Sequence, residues 1–218
     1  MVPPVPIDTV LFDFGGVVVD WNPRHLYRQV IPDEVEMEKF LAEVWSPAEN
    51  ERCDRGRPYA EMIAELSDRH PGHADEIAAC APDQRWIETI AGPIDGALEL
   101  LDELRSLGVH LYGLSNWSAE TFPAARARYE CFDRFDDIVI SGEQDGIAKP
   151  DREMFAILER RHGFTPEQAV FVDDSPRNTE AAAGYGYSVV TFTNTPDLRR
   201  QLRRLGIDVA DDEVRAHR

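Results

Sequence analysis

The sequence predicts an α/β fold in which a Rossmann-like, mostly parallel sheet forms the core. Five short apolar runs recur along the chain, at residues 9–14, 109–115, 137–141, 169–173 and 188–192. Helix-period stretches separate the later runs, and the clearest of these stretches spans 94–107 and is followed by Gly108. Strands that alternate with helices of this length are typical of a parallel sheet covered by helices on both faces.

The first run has the features of a buried strand with a polar group at its end. It is apolar up to a carboxylate, Asp13, which is followed by Phe14, Gly15 and Gly16. Apolar runs of this kind are typical of strands buried on both faces of a parallel sheet. An unpaired charge there is costly, so Asp13 is either functional or bonded to a helix N-terminus.

The segment between the first and second runs predicts helices. Asn22 and Pro23 form a favourable N-cap and first helical residue, and Pro58 begins a second helix. An apolar stripe with helical spacing follows, made of Tyr59, Met62, Ile63 and Leu66. Proline, glycine and charged residues predict a loop at 46–58 and another at 71–72.

No strand signal lies between Val19 and about Ala91, so this segment interrupts the alternation of strands and helices. We therefore expect a helical insertion of about 70 residues, at 19–90. The core would then consist of residues 1–18 and 91–218.

Composition and charge exclude several classes of partner. The chain has 218 residues, of which 43% are apolar and 29% charged, as in soluble globular proteins. Its 41 acidic and 23 basic residues give a formal net charge of −18, which repels nucleic acids and anionic membrane surfaces. No apolar run approaches the roughly 18 residues of a membrane-spanning helix. We expect no nucleic-acid partner and no membrane partner.

The cysteine pattern favours a reducing compartment. Cys53, Cys80 and Cys131 leave one thiol unpaired in any disulfide scheme and have no CxxC spacing, which argues against structural zinc. Free cysteines are usually buried, so we expect core thiols. The N-terminus carries no basic n-region, and the expected location is the cytoplasm. Residues 208–218 are polar and are expected to form a frayed tail.

Polar side chains close several of the predicted strands. Asp13 ends the first, Ser115 ends the second, Asp173 and Asp174 end the fourth, and Lys149 follows the third. Ligands of open α/β sheets bind beyond the carboxyl ends of strands, where such residues converge. Each residue alone also fits a structural role, such as a helix cap. Together they supply a nucleophile, a hydroxyl donor, an ammonium group and carboxylates for a hard cation, a set that suits phosphoryl transfer.

In this order, the motifs resemble those of the haloacid dehalogenase (HAD) superfamily of aspartate-nucleophile hydrolases. The matching segments are Asp13-Phe14-Gly15-Gly16-Val17, Leu114-Ser115-Asn116, Lys149-Pro150 and Val172-Asp173-Asp174-Ser175. The resemblance covers nearly the whole chain, and it makes the insertion at 19–90 the family's small helical cap domain. The first motif is similar to that of a glycine-bearing subgroup of sugar-phosphate phosphatases.

The resemblance implies a catalytic mechanism. Asp13 would attack phosphorus and form an aspartyl phosphate, which water then hydrolyses. Ser115 and the backbone of Asn116 would hold phosphate oxygens. Lys149 would bond both Asp13 and the phosphate, offsetting their negative charges.

The resemblance also implies a magnesium cofactor. Asp13, the Gly15 carbonyl and Asp174 would bind Mg²⁺ directly, with Asp173 direct or through water. Without a cation, these carboxylates and a substrate phosphate would form a cluster of like charges.

The chain departs from the pattern of most phosphatases of the superfamily at Gly15. Those enzymes carry a second aspartate at this position, which protonates the leaving oxygen and later activates water. Loss of a general acid or base costs about 10²–10⁴-fold, so good leaving groups, such as aryl or anomeric phosphates, are expected to react much faster than simple alkyl phosphates. Asp20 is a candidate substitute acid, although a turn before the helix at Asn22 is the better explanation.

Further residues are candidates for binding the substrate. Trp21 and Trp117 adjoin motif residues and are expected to line the site, and Arg24 is a candidate contact or a solvated helix residue. Trp45 and Trp86 are expected in the core of the cap.

These observations favour a magnesium-dependent phosphatase of a small phosphorylated metabolite, a sugar phosphate or similar. Two alternatives stay open. A 2-haloacid dehalogenase also uses an aspartate nucleophile without the second aspartate, but needs no metal, whereas the Asp173-Asp174 pair is intact here. A catalytically weak protein could use the same site to bind a phosphorylated ligand.

Overall fold

The computed structural model describes residues 6–210, and a five-stranded sheet lies at its centre. The strands are β1 (Thr9–Phe12), β2 (Val19–Trp21), β3 (Ile90–Pro93), β4 (His110–Ser115), β5 (Asp137–Ile140), β6 (Ala169–Asp173) and β7 (Ser188–Thr191). The central sheet has the order β5-β4-β1-β6-β7, and all of its neighbouring strands are parallel. The five predicted runs form these five strands, which confirms the predicted α/β class.

Helices surround the sheet and fill the segment between β2 and β3. They are α1 (Pro23–Val30), α2 (Glu34–Glu43), α3 (Pro47–Asp54), α4 (Tyr59–Arg69), α5 (Ala74–Ala79), α6 (Ala97–Ser106), α7 (Phe122–Arg128), α8 (Arg152–His162), α9 (Pro176–Gly184) and α10 (Thr195–Arg204). Short 3-10 turns lie at Pro71–His73, Trp86–Thr89, Glu130–Arg134, Ser141–Glu143 and Pro166–Gln168. Asn22 caps α1 as predicted, because its side chain accepts a hydrogen bond from the Arg24 backbone at 3.0 Å.

Alternate residues of β1 pack on opposite faces of the sheet. Val10 and Phe12 belong to a buried cluster that includes Leu100 of α6, whereas Leu11 packs in a second cluster with Phe155 of α8. This alternation follows from the period of two along a strand. The sheet is therefore covered on both faces, as the sequence predicts.

The expectation of a strand-free segment after Val19 is wrong at both of its ends. β2 and β3 pair antiparallel, with Val19 opposite Pro93 and Trp21 opposite Ile90. Strands of three and four residues carry too little periodicity to be recognised in the sequence, and their pairing joins positions about 70 residues apart. This two-stranded sheet connects the two ends of the helical segment. The proposed division into core and cap domains stays a prediction.

The loop expected at 46–58 is also wrong, because α3 occupies most of it. Ser46 is the N-cap, and its hydroxyl accepts from the Glu49 backbone at 3.4 Å. The Glu49 carboxylate lies 3.1 Å from Arg52 and 2.9 Å from Arg69 of α4. The charged residues that predicted a loop instead form ion pairs within and between helices. Pro71-Gly72 lies in a short 3-10 turn between helices, in agreement with the expected loop.

Two further expectations concern the cysteines and the tail. Cys53, Cys80 and Cys131 are free and buried, which confirms the predicted core thiols. The expected frayed tail lies largely outside the described residues, which end at 210. Among the described helices, none is long and apolar enough to cross a membrane.

Candidate active site

Residues from separate strand ends meet around the Asp13 carboxylate. Asp13 directly follows β1, Ser115 ends β4 and Asp173 ends β6, three neighbouring strands of the sheet. The Ser115 hydroxyl donates to Asp13 Oδ1 at 2.6 Å, and Lys149 Nζ lies 2.9 Å from the same oxygen. The Phe14 backbone N–H also donates to Oδ1, at 2.7 Å. The structure therefore brings together the predicted nucleophile, hydroxyl and ammonium group.

Lys149 is a buried cation held between two carboxylates. Its side chain is 1% exposed, and Nζ lies 2.7 Å from Asp173 Oδ2 in addition to its contact with Asp13. Although burial lowers the pKa of Lys149, the charges of Asp13 and Asp173 raise it above its usual value overall. Lys149 is therefore charged at neutral pH.

Asn116 fixes the backbone next to this lysine. Its side-chain amide donates to the Lys149 carbonyl at 3.1 Å and accepts from the Lys149 N–H at 2.8 Å. The two hydrogen bonds tie the loop after β4 to the segment before α8. The Asn116 side chain thus positions Lys149. The backbone of Asn116 is left for the predicted phosphate contact.

Both oxygens of Asp173 already accept hydrogen bonds. Oδ1 accepts from the Ser175 backbone at 2.8 Å, and Oδ2 accepts from Lys149 at 2.7 Å. The Asn178 amide bridges both oxygens, at 3.1 and 3.0 Å. Asp173 therefore orients Lys149 in a fully buried position.

Asp174 approaches the loop after β1, and a glycine permits this approach. Gly16 has a φ of +74°, which favours glycine, and a Cβ atom there would lie 2.5 Å from Asp174 Oδ2. Any other residue at position 16 would displace Asp174. Gly15, by contrast, does not have a positive φ, and a Cβ atom there would only contact Trp21 at 3.7 Å.

The carboxylates of this cluster suit a hard cation. Oxygens of Asp13, Asp173 and Asp174 all lie within 4.8 Å of one another. Burial, with the negative charge of Asp173, raises the pKa of Asp13 to about 7 despite the opposing charge of Lys149, and raises that of Asp174 as well. Carboxylate oxygens are ligands that Mg²⁺ prefers, and a cation among them would relieve their mutual repulsion. The residues therefore fit the predicted cofactor.

A cavity of about 400 Å³ opens over Asp13 and Asp174. Its lining comes from both the strand ends and the helical segment: Asp13, Gly15, Gly16, Trp21, Asn22, Pro23, Arg24, Asn50, Asp54, Tyr59, Trp86, Ser115, Asn116, Trp117 and Asp174. Four aromatic side chains therefore border the space next to the candidate nucleophile.

The predicted binding residues Trp21, Trp117 and Arg24 all line the cavity, but they differ in whether their side chains already have partners. Trp21 and Trp117 line the cavity, as expected. Arg24 lines it too, but its guanidinium is paired with Glu38 at 2.5 and 2.6 Å. Trp86 is buried as expected for a core residue and also borders the cavity.

Trp45 is buried near the Tyr59 ring, in agreement with the expected role in the helical core.

One acidic residue of the cavity was not recognised in the sequence. Asp54 is the last residue of α3 and lines the cavity together with Asp13. Burial raises the pKa of Asp54 well above the usual range of an aspartate, and the charge of Asp13 adds to the shift. A lone aspartate in a charged segment belongs to no motif, and its segment was expected to be a loop. The only local signal is Asn50, one helical turn earlier, whose amide donates to Asp54 Oδ2 at 2.9 Å.

Asp20, the substitute acid considered from the sequence, has a different location. It lies in β2, its side chain is 52% exposed, and Oδ1 is 3.1 Å from His25 Nε2. It is not among the residues that line the cavity in the described part of the chain. The expected turn is wrong as well, since residue 20 is part of a strand.

Comparison with known proteins gives a consistent result. Residues 7–186 match the haloacid dehalogenase-like hydrolase family. The chain is 27% identical over 199 residues to the sesquiterpene phosphatase astK of Aspergillus oryzae, covering 89% of this chain and 94% of that protein. It is 24% identical over 196 residues to a phosphorylated carbohydrates phosphatase of Thermotoga maritima, covering 86% and 88%.

The fold is similar to that of a HAD family enzyme of Bacteroides thetaiotaomicron, solved as a mutant in complex with magnesium and inorganic phosphate. The TM-score is 0.68 at 21% identity, over 90% of this chain and all of that one (100%). The family match spans most of the chain and includes each of the four motifs around Asp13. The protein belongs to the haloacid dehalogenase-like hydrolases.

Proposed function

We propose that the protein is a magnesium-dependent phosphatase that hydrolyses a small phosphorylated metabolite through an aspartyl phosphate on Asp13. The observation that carries the proposal is the arrangement of donors on this carboxylate. Within the described residues, the hydrogen bonds from Phe14, Ser115 and Lys149 all go to Oδ1. Oδ2 is therefore left as the nucleophilic oxygen, on a side chain that faces the cavity and is 13% exposed.

The chemistry follows from these positions. Oδ2 of Asp13 attacks phosphorus in line with the leaving oxygen, and the aspartyl phosphate forms as the bond to that oxygen breaks. The charge of Lys149 opposes the rise in the pKa of Asp13 and offsets the charge of the incoming phosphate. Ser115 and the backbone of Asn116 hold phosphate oxygens. Each of these groups is already fixed by hydrogen bonds, which lowers the cost of reorganisation.

The metal would be held by Asp13, Asp174 and the Gly15 carbonyl. When bound, Mg²⁺ neutralises phosphate charge that the carboxylates would otherwise repel. Asp173 contributes through water rather than directly, because both of its oxygens already accept hydrogen bonds.

The cavity indicates the kind of substrate. Trp21, Trp86 and Trp117 provide apolar surface, on which the less polar face of a sugar or another ring can pack. Among the residues that line the cavity in the described chain, Arg24 is the only arginine or lysine, and it is paired with Glu38. We therefore propose a substrate with one phosphate and an uncharged ring, a sugar phosphate or similar. The name of the Thermotoga maritima relative, a phosphorylated carbohydrates phosphatase, supports this class, and the name of the sesquiterpene phosphatase supports phosphatase activity. The free buried thiols support the expected cytoplasmic location.

The test is a screen of purified protein against sugar phosphates, aryl phosphates and nucleotides, with Mg²⁺ and with EDTA. Halide release from 2-chloropropionate is measured in parallel. Phosphate release that requires Mg²⁺ supports the proposal. Halide release in EDTA would establish the dehalogenase alternative, and tight binding of a phosphorylated compound without turnover would establish a binding protein.

A further inference from the structure

The cavity contains two carboxyl groups that reach it from different parts of the fold. Asp13 extends from the end of β1, whereas Asp54 extends from the end of α3 in the helical segment. The Asp13 side has the cation Lys149 and the cluster of carboxylates. Asp54 has no such cation among the partners of its side chain in the described residues, and its carboxyl group accepts from the neutral Asn50 amide.

The backbone of Asp54 is tied to the core next to the loop that follows Ser115. Its carbonyl accepts a hydrogen bond from Ser141 Oγ at 2.5 Å. The same hydroxyl accepts from the backbone N–H of Trp117 at 3.0 Å, two residues after Ser115. Arg55, the next residue, donates to the Gly146 carbonyl at 2.7 Å. The Ser141 side chain therefore bridges the Asp54 backbone and the Trp117 backbone, and the Arg55 contact adds a second tie to the core.

The surroundings of the Asp54 side chain raise its pKa. Burial raises its pKa, and the negative charges of Asp13 and Glu51 raise it further. A hydrogen bond from the Ser118 backbone opposes the shift without cancelling it. A carboxyl group with a raised pKa keeps its proton to higher pH, and it can donate that proton to a leaving oxygen and recover it later.

We propose that Asp54 is the general acid and base of this enzyme and replaces the aspartate that is missing at position 15. This inference rests on the proposed phosphatase function. As Asp13 Oδ2 forms its bond to phosphorus, the bond from phosphorus to the leaving oxygen breaks, and that oxygen keeps the electron pair and takes the proton of Asp54. The products of this step are an alcohol, the aspartyl phosphate and the Asp54 carboxylate.

The second step restores both residues. The Asp54 carboxylate takes a proton from water as the water oxygen attacks phosphorus, and the bond from phosphorus to Asp13 breaks with its electron pair returning to Asp13. Inorganic phosphate leaves, and Asp54 is protonated again. With this acid in place, the reaction depends weakly on the pKa of the leaving group, in contrast to the steep dependence expected from Gly15 alone.

The test compares wild type with Asp54→Asn, using an alkyl phosphate and an aryl phosphate. Asp68→Asn is the matched control, because it makes the same chemical change at an exposed aspartate of α4 that does not line the cavity. We expect Asp54→Asn to lower kcat for the alkyl phosphate about 10²–10⁴-fold. The rate at which the aryl phosphate forms the aspartyl phosphate should fall less, because its leaving group needs less help from an acid. The variant should then release one equivalent of phenol in a burst and accumulate phosphorylated protein, while Asp68→Asn behaves as wild type.

The outcomes separate this inference from the proposed function. If wild type hydrolyses no phosphate ester, the phosphatase proposal itself fails. If wild type is active and folded Asp54→Asn keeps its kcat and shows no burst, the role of Asp54 is overturned. Thermal melting checks the fold. Should the variant not fold, a leaving-group series on wild type decides, since a steep dependence overturns the role of Asp54 and a shallow one supports it.

Discussion

The core and the helical segment contribute to the site in different ways. The core residues Asp13, Ser115 and Asp173 lie at the ends of neighbouring parallel strands, so the topology of the sheet alone brings them together. Asp54 and Trp86 come from the helical segment and reach the cavity only through the packing of that segment on the core. In the proposed mechanism, the core supplies the phosphate and metal site, while the helical segment supplies the acid and part of the surface around the substrate.

The strongest test of the core concerns Asp13, the proposed nucleophile. Asp13→Asn should reduce phosphatase activity to background, because an amide oxygen is a poor nucleophile and the substitution changes little in size. Steady-state kinetics of the purified variant measure the loss. Asp133→Asn is the control, as it removes an exposed aspartate outside the cavity. Rates close to wild type in folded Asp13→Asn would rule out the covalent mechanism.

The proposed metal site of the core is expected to give the next largest effect. Chelation with EDTA should abolish phosphatase activity, and Asp174→Ala should lower it about a hundredfold or more, because the remaining carboxylates hold the ion poorly. Binding can be followed without activity: Mg²⁺ should raise the melting temperature of wild type and leave that of Asp174→Ala unchanged. Activity that survives both EDTA and the substitution would contradict the metal assignment.

The same comparison shows how far sequence reasoning reaches. The strand-end residues were predictable because a buried apolar run fixes where a strand ends and a parallel sheet places those ends at one edge. Asp54 was not, since its position depends on the contact between Ser141 and the Asp54 carbonyl. Such contacts join residues almost 90 positions apart and leave no local pattern. The β2–β3 pair was missed for the same reason.

A carboxyl group introduced at position 15 of the core should restore part of the activity that Asp54→Asn loses. Gly15→Asp, introduced into Asp54→Asn, is expected to raise kcat for alkyl phosphates by at most about 10²-fold. The structure permits this change, because Gly15 lacks a positive φ and its Cβ atom would lie 3.7 Å from Trp21. Gly16→Asp is the matched control, since its Cβ atom would lie 2.5 Å from Asp174 Oδ2, and it should reduce activity. No rescue in a double variant that melts normally would show that position 15 cannot present an acid here.

The smallest effect concerns the contact that joins the two regions. Ser141→Ala removes the hydroxyl between Trp117 and Asp54, and leaves the Asp54 carbonyl without this partner. We expect the free energy of unfolding to fall by about 1–3 kcal/mol. Since the backbone that carries Asp54 is then less well fixed, kcat for alkyl phosphates should fall more than kcat for aryl phosphates, by less than the loss in Asp54→Asn. Ser106→Ala is the control, because its hydroxyl makes an exposed contact at the end of α6. An equal loss on both substrates would mean that Ser141 acts on the fold alone, and that Asp54 is positioned by its own helix.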